Sequence, residues 1–358
     1  MPDLRMEFTA ETLDVVEGDV ESVTEHLYRN GFTDGLPVVP PTPERVERML
    51  DGSHRTPDEA LGVIPPRYGE ATVETVAINA VMAGCKPSYM PVVETAVEAL
   101  TEEPFNLYGV NATTHPVAPL LVVNGPVVDE LHLNYGYNVF GQGWRANATI
   151  GRAIRLLLVN AGGGTPGEMD RATHGHPGKY SFCIAENERN SPWEPLHVRR
   201  GFDAEESAVT VMGVEAPHEI NDHVHGDAAG ILGVAADVFA TVGNNNTHHS
   251  KGEIALVLGP EHAATVAEDG WTVEDVQWYL YDQARNAVDD LHAAGIYDNY
   301  TLHRRFHLER DGDARIPLVE RPEDVVVLVA GGAGKHSMAL HSFGETRSVT
   351  KAVEGAVE

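Results

Sequence analysis

The stretch Asp324-Val-Val-Val-Leu-Val-Ala-Gly-Gly332 decides the fold class, because an uninterrupted apolar run leads directly into a glycine turn. A run without polar alternation is typical of a strand that is covered on both faces. Two other stretches have the same form, Ala118-Pro-Leu-Leu-Val-Val-Asn-Gly-Pro126 and Ala255-Leu-Val-Leu-Gly-Pro260. Because such strands need cover on both sides, they predict an α/β protein with a mixed, mainly parallel sheet and flanking helices.

Helix signals lie around these strands. Thr42 fits a helix N-cap, Pro43 fits the first helical position and Gly52 fits the end of a short helix. Residues 72–83 place apolar side chains at helical spacing, and Gly84 follows them. Further helices are predicted over 91–101, over 261–267 and from Thr272, which forms a capping box with Asp275, whereas the assignment of 150–164 stays open. Further strands are predicted over 180–185, 208–214 and 253–258.

The chain shows a faint internal similarity. The predicted strands that begin at Ala118 and Ala255 each follow a helix of small residues and a polar loop that contains histidine. The two loops are Thr113-Thr-His-Pro116 and Asn244-Asn-Asn-Thr-His-His249. This pattern suggests two related lobes, 1–170 and 171–358, with a site between them. The alternative is that buried strands that end in glycine turns are simply common.

Composition limits the classes of partner. The 358 residues include 54 acidic and 25 basic side chains, which gives a formal net charge of −29. A field of that sign repels nucleic-acid backbones and anionic membrane surfaces, so neither is an expected partner. No apolar stretch is long enough to span a bilayer, and the N-terminus carries acids where a signal peptide would be apolar. With only two cysteines, a cytoplasmic location is expected.

Histidines are the most unusual supply of reactive groups, and 18 are present. The densest cluster is His218-Glu-Ile-Asn-Asp-His-Val-His-Gly-Asp227. In an extended segment, residues two apart point the same way, so His223 and His225 could converge on one ion. A set of imidazoles and a carboxylate suits zinc, iron or manganese. The predicted ligands are Asp222, His223, His225, His248 and His249, and the alternative is that the histidines lie scattered on the surface.

A thiol is the rival reactive group. Cys85 lies between two predicted helices, beside Lys86 and close to a helix N-terminus. Both features would lower the pKa of the thiol and favour the nucleophilic thiolate. The alternative is an inert cysteine that packs at a helix junction, which is also the interpretation of Cys183 within a strand.

Two glycine-rich turns could bind an anion. Asn160-Ala-Gly-Gly-Gly-Thr-Pro-Gly167 could present backbone N–H groups. Ala330-Gly-Gly-Ala-Gly-Lys-His-Ser337 is not a P-loop, because His336 stands where a hydroxyl should bind magnesium, and no nucleotide cofactor is indicated. The second turn could instead hold a carboxylate with Lys335, His336 and Ser337, or it could be a tight turn from a strand to a helix.

Two irregular segments have the composition of pocket walls. The first, residues 134–147, is rich in glycine, asparagine and aromatic residues, and its Trp144, Arg145 and Asn147 are candidate substrate ligands. The second follows the predicted strand over 180–185 and supplies Glu186 and Glu188 as candidate general acids or bases. Exposed turns are the alternative for both.

Several strings together resemble an uncharacterised bacterial family associated with UGSC-motif proteins, which are selenocysteine or cysteine proteins. They are Asp34-Gly-Leu-Pro-Val-Val-Pro-Pro-Thr42, Ala83-Gly-Cys-Lys-Pro-Ser-Tyr-Met-Pro-Val-Val93, Gly143-Trp-Arg-Ala-Asn-Ala-Thr-Ile-Gly-Arg152, Ala185-Glu-Asn-Glu188, Ser191-Pro-Trp-Glu-Pro-Leu196, Asn221-Asp-His223 and Ala330-Gly-Gly-Ala-Gly-Lys-His-Ser337. The resemblance covers most of the chain. It implies sulfur-linked chemistry at Cys85 and supplies no other catalytic assignment.

The sequence therefore predicts a small-molecule enzyme, a metal-assisted lyase or hydrolase that acts on a polar, carboxylate-bearing substrate. Its catalytic candidates are His223, His225, Glu186, Glu188 and Cys85. One alternative is thiol-dependent redox or C–S chemistry at Cys85. Another is a non-catalytic subunit of a larger complex, and assembly as a homo-oligomer is also open.

Overall fold

The computed structural model describes residues 18–296 and 314–355. Most of the N-terminal segment in which no signal peptide is expected, residues 1–17, lies outside the described residues. The helices are α1 (Val20–Arg29), α2 (Pro43–Leu50), α3 (Val73–Ala83), α4 (Met90–Leu100), α5 (Leu107–Asn111), α6 (Val127–Glu130), α7 (Arg145–Asn160), α8 (Leu196–Arg199), α9 (Ala228–Phe239), α10 (Asn245–His249), α11 (Pro260–Glu268), α12 (Val273–Gln283) and α13 (Val288–Ala293). The strands are β1 (Ala60–Ile64), β2 (Gly69–Thr72), β3 (Ala118–Asn124), β4 (Cys183–Ala185), β5 (Ala208–Val214), β6 (His218–Asn221), β7 (Ile254–Leu258), β8 (Arg285–Ala287), β9 (Arg315–Pro317), β10 (Val325–Val329), β11 (His336–Leu340) and β12 (Val349–Ala352).

The α/β class and the mixed sheets are confirmed. The described residues form a first sheet in the order β12-β5-β3-β4 and a second in the order β10-β7-β11-β6. Each contains one parallel pair, β3 with β4 and β7 with β10, so the expectation of mainly parallel pairing is wrong. In the second sheet, residues 330–335 are too short for a crossover, so β11 runs back antiparallel to β7.

The two sheets share one topology. In each, a central strand (β3 or β7) has a parallel neighbour that follows it in the chain and an antiparallel neighbour on its other side. The outer strands are exchanged, because β6 follows β5 but pairs with β11, whereas β12 follows β11 but pairs with β5. The sheets are thus topologically related and interlocked. A division at residue 170 stays a prediction, and strands from both sides of that residue form the first sheet.

Alternate residues of the central strands face different cores. Leu121 of β3 packs in a core with α2, α3, α4 and α7, whereas Leu120 belongs to a core shared with Val257 of β7. Leu256 of β7 packs with α9, α11 and α12 on the far side. The molecule therefore has four layers in the order helices, sheet, sheet, helices. This order explains why the strands read as uninterrupted apolar runs, since both faces of each sheet are covered.

Local signals predicted most helices correctly. α3 ends at Gly84, which adopts a left-handed conformation at φ 90°, and Thr272 and Asp275 form the predicted capping box of α12. Residues 150–164 are largely helical, but α7 already begins at Arg145, inside the segment predicted as a loop. The polar stretch after Asn244 is also a helix, α10, because the Asn244 side chain accepts a hydrogen bond from the Thr247 N–H.

No helix among the described residues is both long enough and apolar enough to cross a membrane.

Candidate functional site

A cavity of about 600 Å³ lies between α7 and the segment that leads into β4. This volume is in the range of small-molecule sites. The cavity, called here the α7 cavity, is lined by Thr33, Asp34, Arg155, Val159, Gly164, Pro166, Gly167, Asp170, Ala172, His174, Gly175, His176, Pro177, Lys179 and Tyr180.

Arg155 is the unusual group in the α7 cavity. Its residue surface is only 8% exposed, and its Nε atom is buried without a hydrogen-bond partner. Burial lowers the pKa of Arg155, and Asp170 and Asp34 oppose that shift from a distance. No described residue forms an ion pair or a hydrogen bond with its guanidinium. Because an unpaired buried charge is costly, this arrangement favours an anion in the cavity.

The other charges of the α7 cavity are already paired. Asp34 accepts two hydrogen bonds from Arg152, at 2.7 Å from Nε and 2.8 Å from a terminal nitrogen. The Nζ atom of Lys179 lies 2.7 Å from Oδ2 of Asp170, and both side chains are largely buried. Burial lowers the pKa of Lys179, and the nearby Arg155 lowers it further. The positive charge of Arg155 is therefore left uncompensated, which suits a ligand with one negative charge.

Backbone hydrogen bonds hold the cavity wall against the end of α7, because the N–H groups of Gly163 and Gly164 donate to the carbonyls of Val159 and Leu158. Gly164 passes so close to Asn111 that an added Cβ would lie 2.4 Å from its Oδ1 atom. Gly167 has φ +83° and donates its N–H to the Asp170 carbonyl, which closes a tight loop. The predicted anion-binding turn over 160–167 therefore borders the α7 cavity. The N–H groups of Gly162, Gly163 and Gly164 donate to carbonyls of α7, so the predicted presentation of these groups to an anion is wrong.

His176 forms part of the wall without adding charge. Burial lowers its pKa to about 4, and the neighbouring Lys179 lowers it as well. The ring is therefore neutral at pH 7. Its Nδ1 atom accepts the Gly178 N–H at 3.1 Å, which places the proton of the neutral ring on Nε2. The uncompensated positive charge inside the cavity thus comes from Arg155, since Lys179 is paired with Asp170.

A second cavity, of about 710 Å³, is a weaker candidate. It is also lined by arginines, Arg199 and Arg200. Arg199 donates to the carbonyl of Val327, and Arg200 donates to the hydroxyls of Thr350 and Ser348. Because both guanidiniums are already hydrogen-bonded within the protein, this cavity lacks the unpaired group that distinguishes the α7 cavity.

The predicted acid/base candidates Glu186 and Glu188 meet at the other end of β4. One amide nitrogen of Asn124 donates to both carboxylates, at 2.6 Å and 2.8 Å. Glu186 is buried, and burial raises its pKa although the Leu196 N–H and Asn124 oppose the shift. His197 is also fully buried, with its Nδ1 atom 3.8 Å from Glu188. The pair lies outside the two cavities, and its catalytic role stays a prediction.

The predicted convergence of His223 and His225 is wrong. β6 ends at Asn221, and the Asp222 carboxylate accepts the N–H groups of Val224 and His225, which folds the chain into a turn. The Asp222 carboxylate also lies 2.8 Å from His225 Nδ1. These hydrogen bonds lower the pKa of Asp222 to about 2 against the effect of burial. His223 instead approaches His336.

Ser337 belongs to the interior of the second sheet. Its hydroxyl lies 2.8 Å from His262 Nδ1, and the Nε2 atom of His262 lies 3.0 Å from the Asp222 carbonyl. His262 is buried and was not among the predicted site residues. Lys335 is half-buried, and its charge helps to lower the pKa of His262. The turn 330–334 leads into strand β11 and not into a helix.

The five predicted metal ligands do not form one set. His249 Nδ1 lies 3.6 Å from Glu345, which also binds Lys251, so the pair of histidines on α10 has surroundings different from those of Asp222. Within residues 18–296 and 314–355, no group of three or more His, Cys, Asp and Glu side chains is arranged to hold a metal ion.

The predicted activation of Cys85 is wrong. The residue is 6% exposed, and its Sγ atom donates to the Thr149 carbonyl at 3.3 Å. Burial raises the pKa of Cys85 to about 12, although Arg145 and Arg152 act in the opposite direction. Desolvation of the thiolate therefore outweighs the nearby positive charges. Cys183 is buried in β4 as expected.

The predicted substrate ligands at the start of α7 have structural partners. Arg145 donates twice to the Gly84 carbonyl, at 3.0 and 2.8 Å, and so connects α7 to the end of α3. Asn147 is buried and bonds both backbone groups of Asn134 and the Cys183 carbonyl. Trp144 is 38% exposed. Arg145, Asn147 and Trp144 are all absent from the lining of the α7 cavity.

Arg155, Asp170 and Lys179 were not among the site residues predicted from the sequence. One signal was present, since Arg155 interrupts the apolar face of Ile154-Arg-Leu-Leu-Leu158 and a charge there needs a partner. The pairing of Lys179 with Asp170 depends on the course of the loop, so no local pattern indicated it.

The chain matches no model of a known protein family, and no curated protein sequence is significantly similar to it. The resemblance to the family associated with UGSC-motif proteins therefore stays a prediction.

Proposed function

We propose that the protein is a small-molecule enzyme, a lyase or a hydrolase, whose substrate carries a carboxylate that binds Arg155 in the α7 cavity. The buried, unpaired guanidinium of Arg155 is the observation that carries this proposal. A guanidinium matches the planar, two-oxygen geometry of a carboxylate, and a dry site strengthens the charge-assisted hydrogen bonds.

The rest of the wall fits a small, partly polar molecule. Val159, Pro166 and Pro177 supply apolar surface beside Arg155. Tyr180 is 52% exposed and lies at the rim. A body of a few carbon atoms with a polar substituent would fill such a space, which agrees with the substrate class expected from the sequence.

Lys179 is the proposed proton-transfer group. Its lowered pKa increases the fraction of molecules in which the amine is neutral, and only that form can accept a proton. Asp170, 2.7 Å away, holds the ammonium form in place after the transfer. In a lyase, Lys179 Nζ would take a proton from the carbon next to the substrate carboxylate as a leaving group departs. In a hydrolase, it would take the proton from the attacking water.

Mass spectrometry of reaction mixtures tests the proposal. The wild type, Arg155→Met and Lys179→Met are each incubated with a panel of small hydroxy, amino and dicarboxylic acids and with a bacterial metabolite extract. We expect the wild type to consume a carboxylic acid, Arg155→Met to lose binding and turnover, and Lys179→Met to retain binding but lose turnover. Arg29→Met, which removes an exposed charge on α1, serves as the matched control.

The same assay separates the alternatives. If calorimetry shows that the wild type binds a carboxylate but mass spectrometry shows no turnover, the proposal of an enzyme is contradicted. That result would favour a non-catalytic binding subunit. Equal turnover by Arg155→Met and the wild type would rule out the α7 cavity as the substrate site. Loss of turnover in Glu188→Gln alone would transfer the chemistry to the predicted carboxylate pair.

A further inference from the structure

Two imidazoles meet at the edge of the second sheet, away from the α7 cavity. The Nε2 atoms of His223 and His336 are 3.2 Å apart, with ring centroids 4.8 Å apart and ring planes at 77°. His336 is the first residue of β11 and pairs with Asn221 of β6, two residues before His223. The pairing of β6 with β11 therefore fixes the backbone positions that bring the rings of His223 and His336 together.

A carboxylate sets the tautomer of His336. Glu219 of β6 lies 2.8 Å from His336 Nδ1. Since a carboxylate accepts hydrogen bonds, the Nδ1 atom carries the proton, and Nε2 of the neutral ring presents its lone pair toward His223. A histidine that donates its other ring nitrogen to a carboxylate is the common arrangement of metal-bound imidazoles, because the carboxylate orients the ring and raises its basicity.

We propose that His223 and His336 bind a divalent transition-metal ion of the zinc class through their Nε2 atoms. Two nitrogens at typical zinc distances in a tetrahedral site are separated by about 3.3 Å, which is close to the observed 3.2 Å. Imidazole nitrogen suits ions of this class. The His336 side chain is 45% exposed, so water can reach the ion and complete its coordination.

The neighbouring histidines do not join the pair. His225 Nδ1 is held by the Asp222 carboxylate at 2.8 Å, and both ring nitrogens of His262 are engaged by Ser337 and by the Asp222 carbonyl. The site is therefore a two-histidine centre with Glu219 behind it. It differs from the ligand set that the sequence predicts and does not depend on the α7 cavity.

Calorimetric titration with zinc chloride tests the proposal on protein prepared without a histidine tag. We expect stoichiometric binding by the wild type. Zinc affinity should fall at least about tenfold in Glu219→Gln, because removal of a supporting carboxylate typically costs that much, and by at least as much in His336→Asn, which removes a ligand. His54→Asn, which removes an imidazole that contacts the Gly355 carbonyl instead, should bind zinc like the wild type. Thermal unfolding of each variant without zinc shows that the fold is retained.

Nitrogen NMR of the histidine rings separates a metal site from a plain hydrogen bond. Zinc bound as proposed shifts the Nε2 resonances of both His223 and His336. Unchanged resonances, no zinc binding by the wild type, or equal affinity in His336→Asn and the wild type would each overturn the proposal.

Discussion

Glu186 and Glu188 share a single hydrogen-bond donor, the side-chain nitrogen of Asn124, at the carboxyl end of the first sheet's parallel pair. Glu186 is the buried member, and the Leu196 N–H also donates to it. Glu188 accepts a second hydrogen bond from the Gly125 N–H, so the two acids differ mainly in the deeper burial of Glu186. The titration of Glu186 is therefore coupled to the stability of the fold.

The first prediction concerns Glu186→Gln. Burial raises the pKa of Glu186, so the folded state holds a proton that the unfolded state has already released. Stability from this group is present below the unfolded pKa and is lost as pH rises through the folded pKa, by about 1.4 kcal/mol per unit of difference. We expect Glu186→Gln to gain stability relative to the wild type between pH 4.5 and pH 8. Urea unfolding across that range measures the difference, and a constant difference would contradict the assignment.

Asp222 should behave in the opposite way. Hydrogen bonds from Val224 and His225 lower its pKa to about 2, so its stabilising effect is present above the unfolded pKa and is lost as pH falls through the folded value. We expect Asp222→Asn to lower the free energy of unfolding by about 2 kcal/mol at pH 7. That loss should shrink as the pH falls from 4 to 3. Asp237→Asn, which removes an exposed carboxylate on α9, is the control. An equal loss at every pH would exclude the ionised carboxylate of Asp222 as the cause.

How far the sequence predicts the fold depends on how local the determinants are. The apolar run over 325–329 and the capping box at Thr272 act within one element, and both were predicted correctly. The exchange of β6 and β12 between the sheets was not predicted, because it depends on pairing between residues more than a hundred positions apart. No periodicity within either strand records its partner.

The candidate site shows the same limit. The spacing of His223 and His225 suggested convergence only if the chain stayed extended, and the turn made by Asp222 removed that condition. For Cys85, the neighbouring charges were visible in the sequence, but the extent of burial that outweighs them was not. Charge and spacing can be read locally, whereas solvation is a property of the folded molecule.

Cys85 should be inert toward alkylation in the native protein. Its pKa of about 12 leaves almost no thiolate at pH 7.5, and its side chain is buried. In Cys183→Ser, we expect iodoacetamide to modify Cys85 slowly in buffer and rapidly in urea, with a rate difference of at least about a hundredfold. Mass spectrometry follows the adduct. Rapid native alkylation would restore the thiol-based hypothesis.

Arg152 and Arg155 lie one turn apart on α7 and should respond oppositely to the same substitution. Arg152 is bound by the buried Asp34, and breaking such a pair costs about 3–5 kcal/mol because it leaves a buried charge unpaired. Arg155 has no such partner, so without a ligand we expect Arg155→Met to raise the free energy of unfolding by at least about 1 kcal/mol. Urea unfolding of both variants in a carboxylate-free buffer makes the comparison. Destabilisation by both would mean that Arg155 is a structural residue, whereas a stabilised Arg155→Met would identify a charge that is retained at the expense of stability, as a ligand-binding group is.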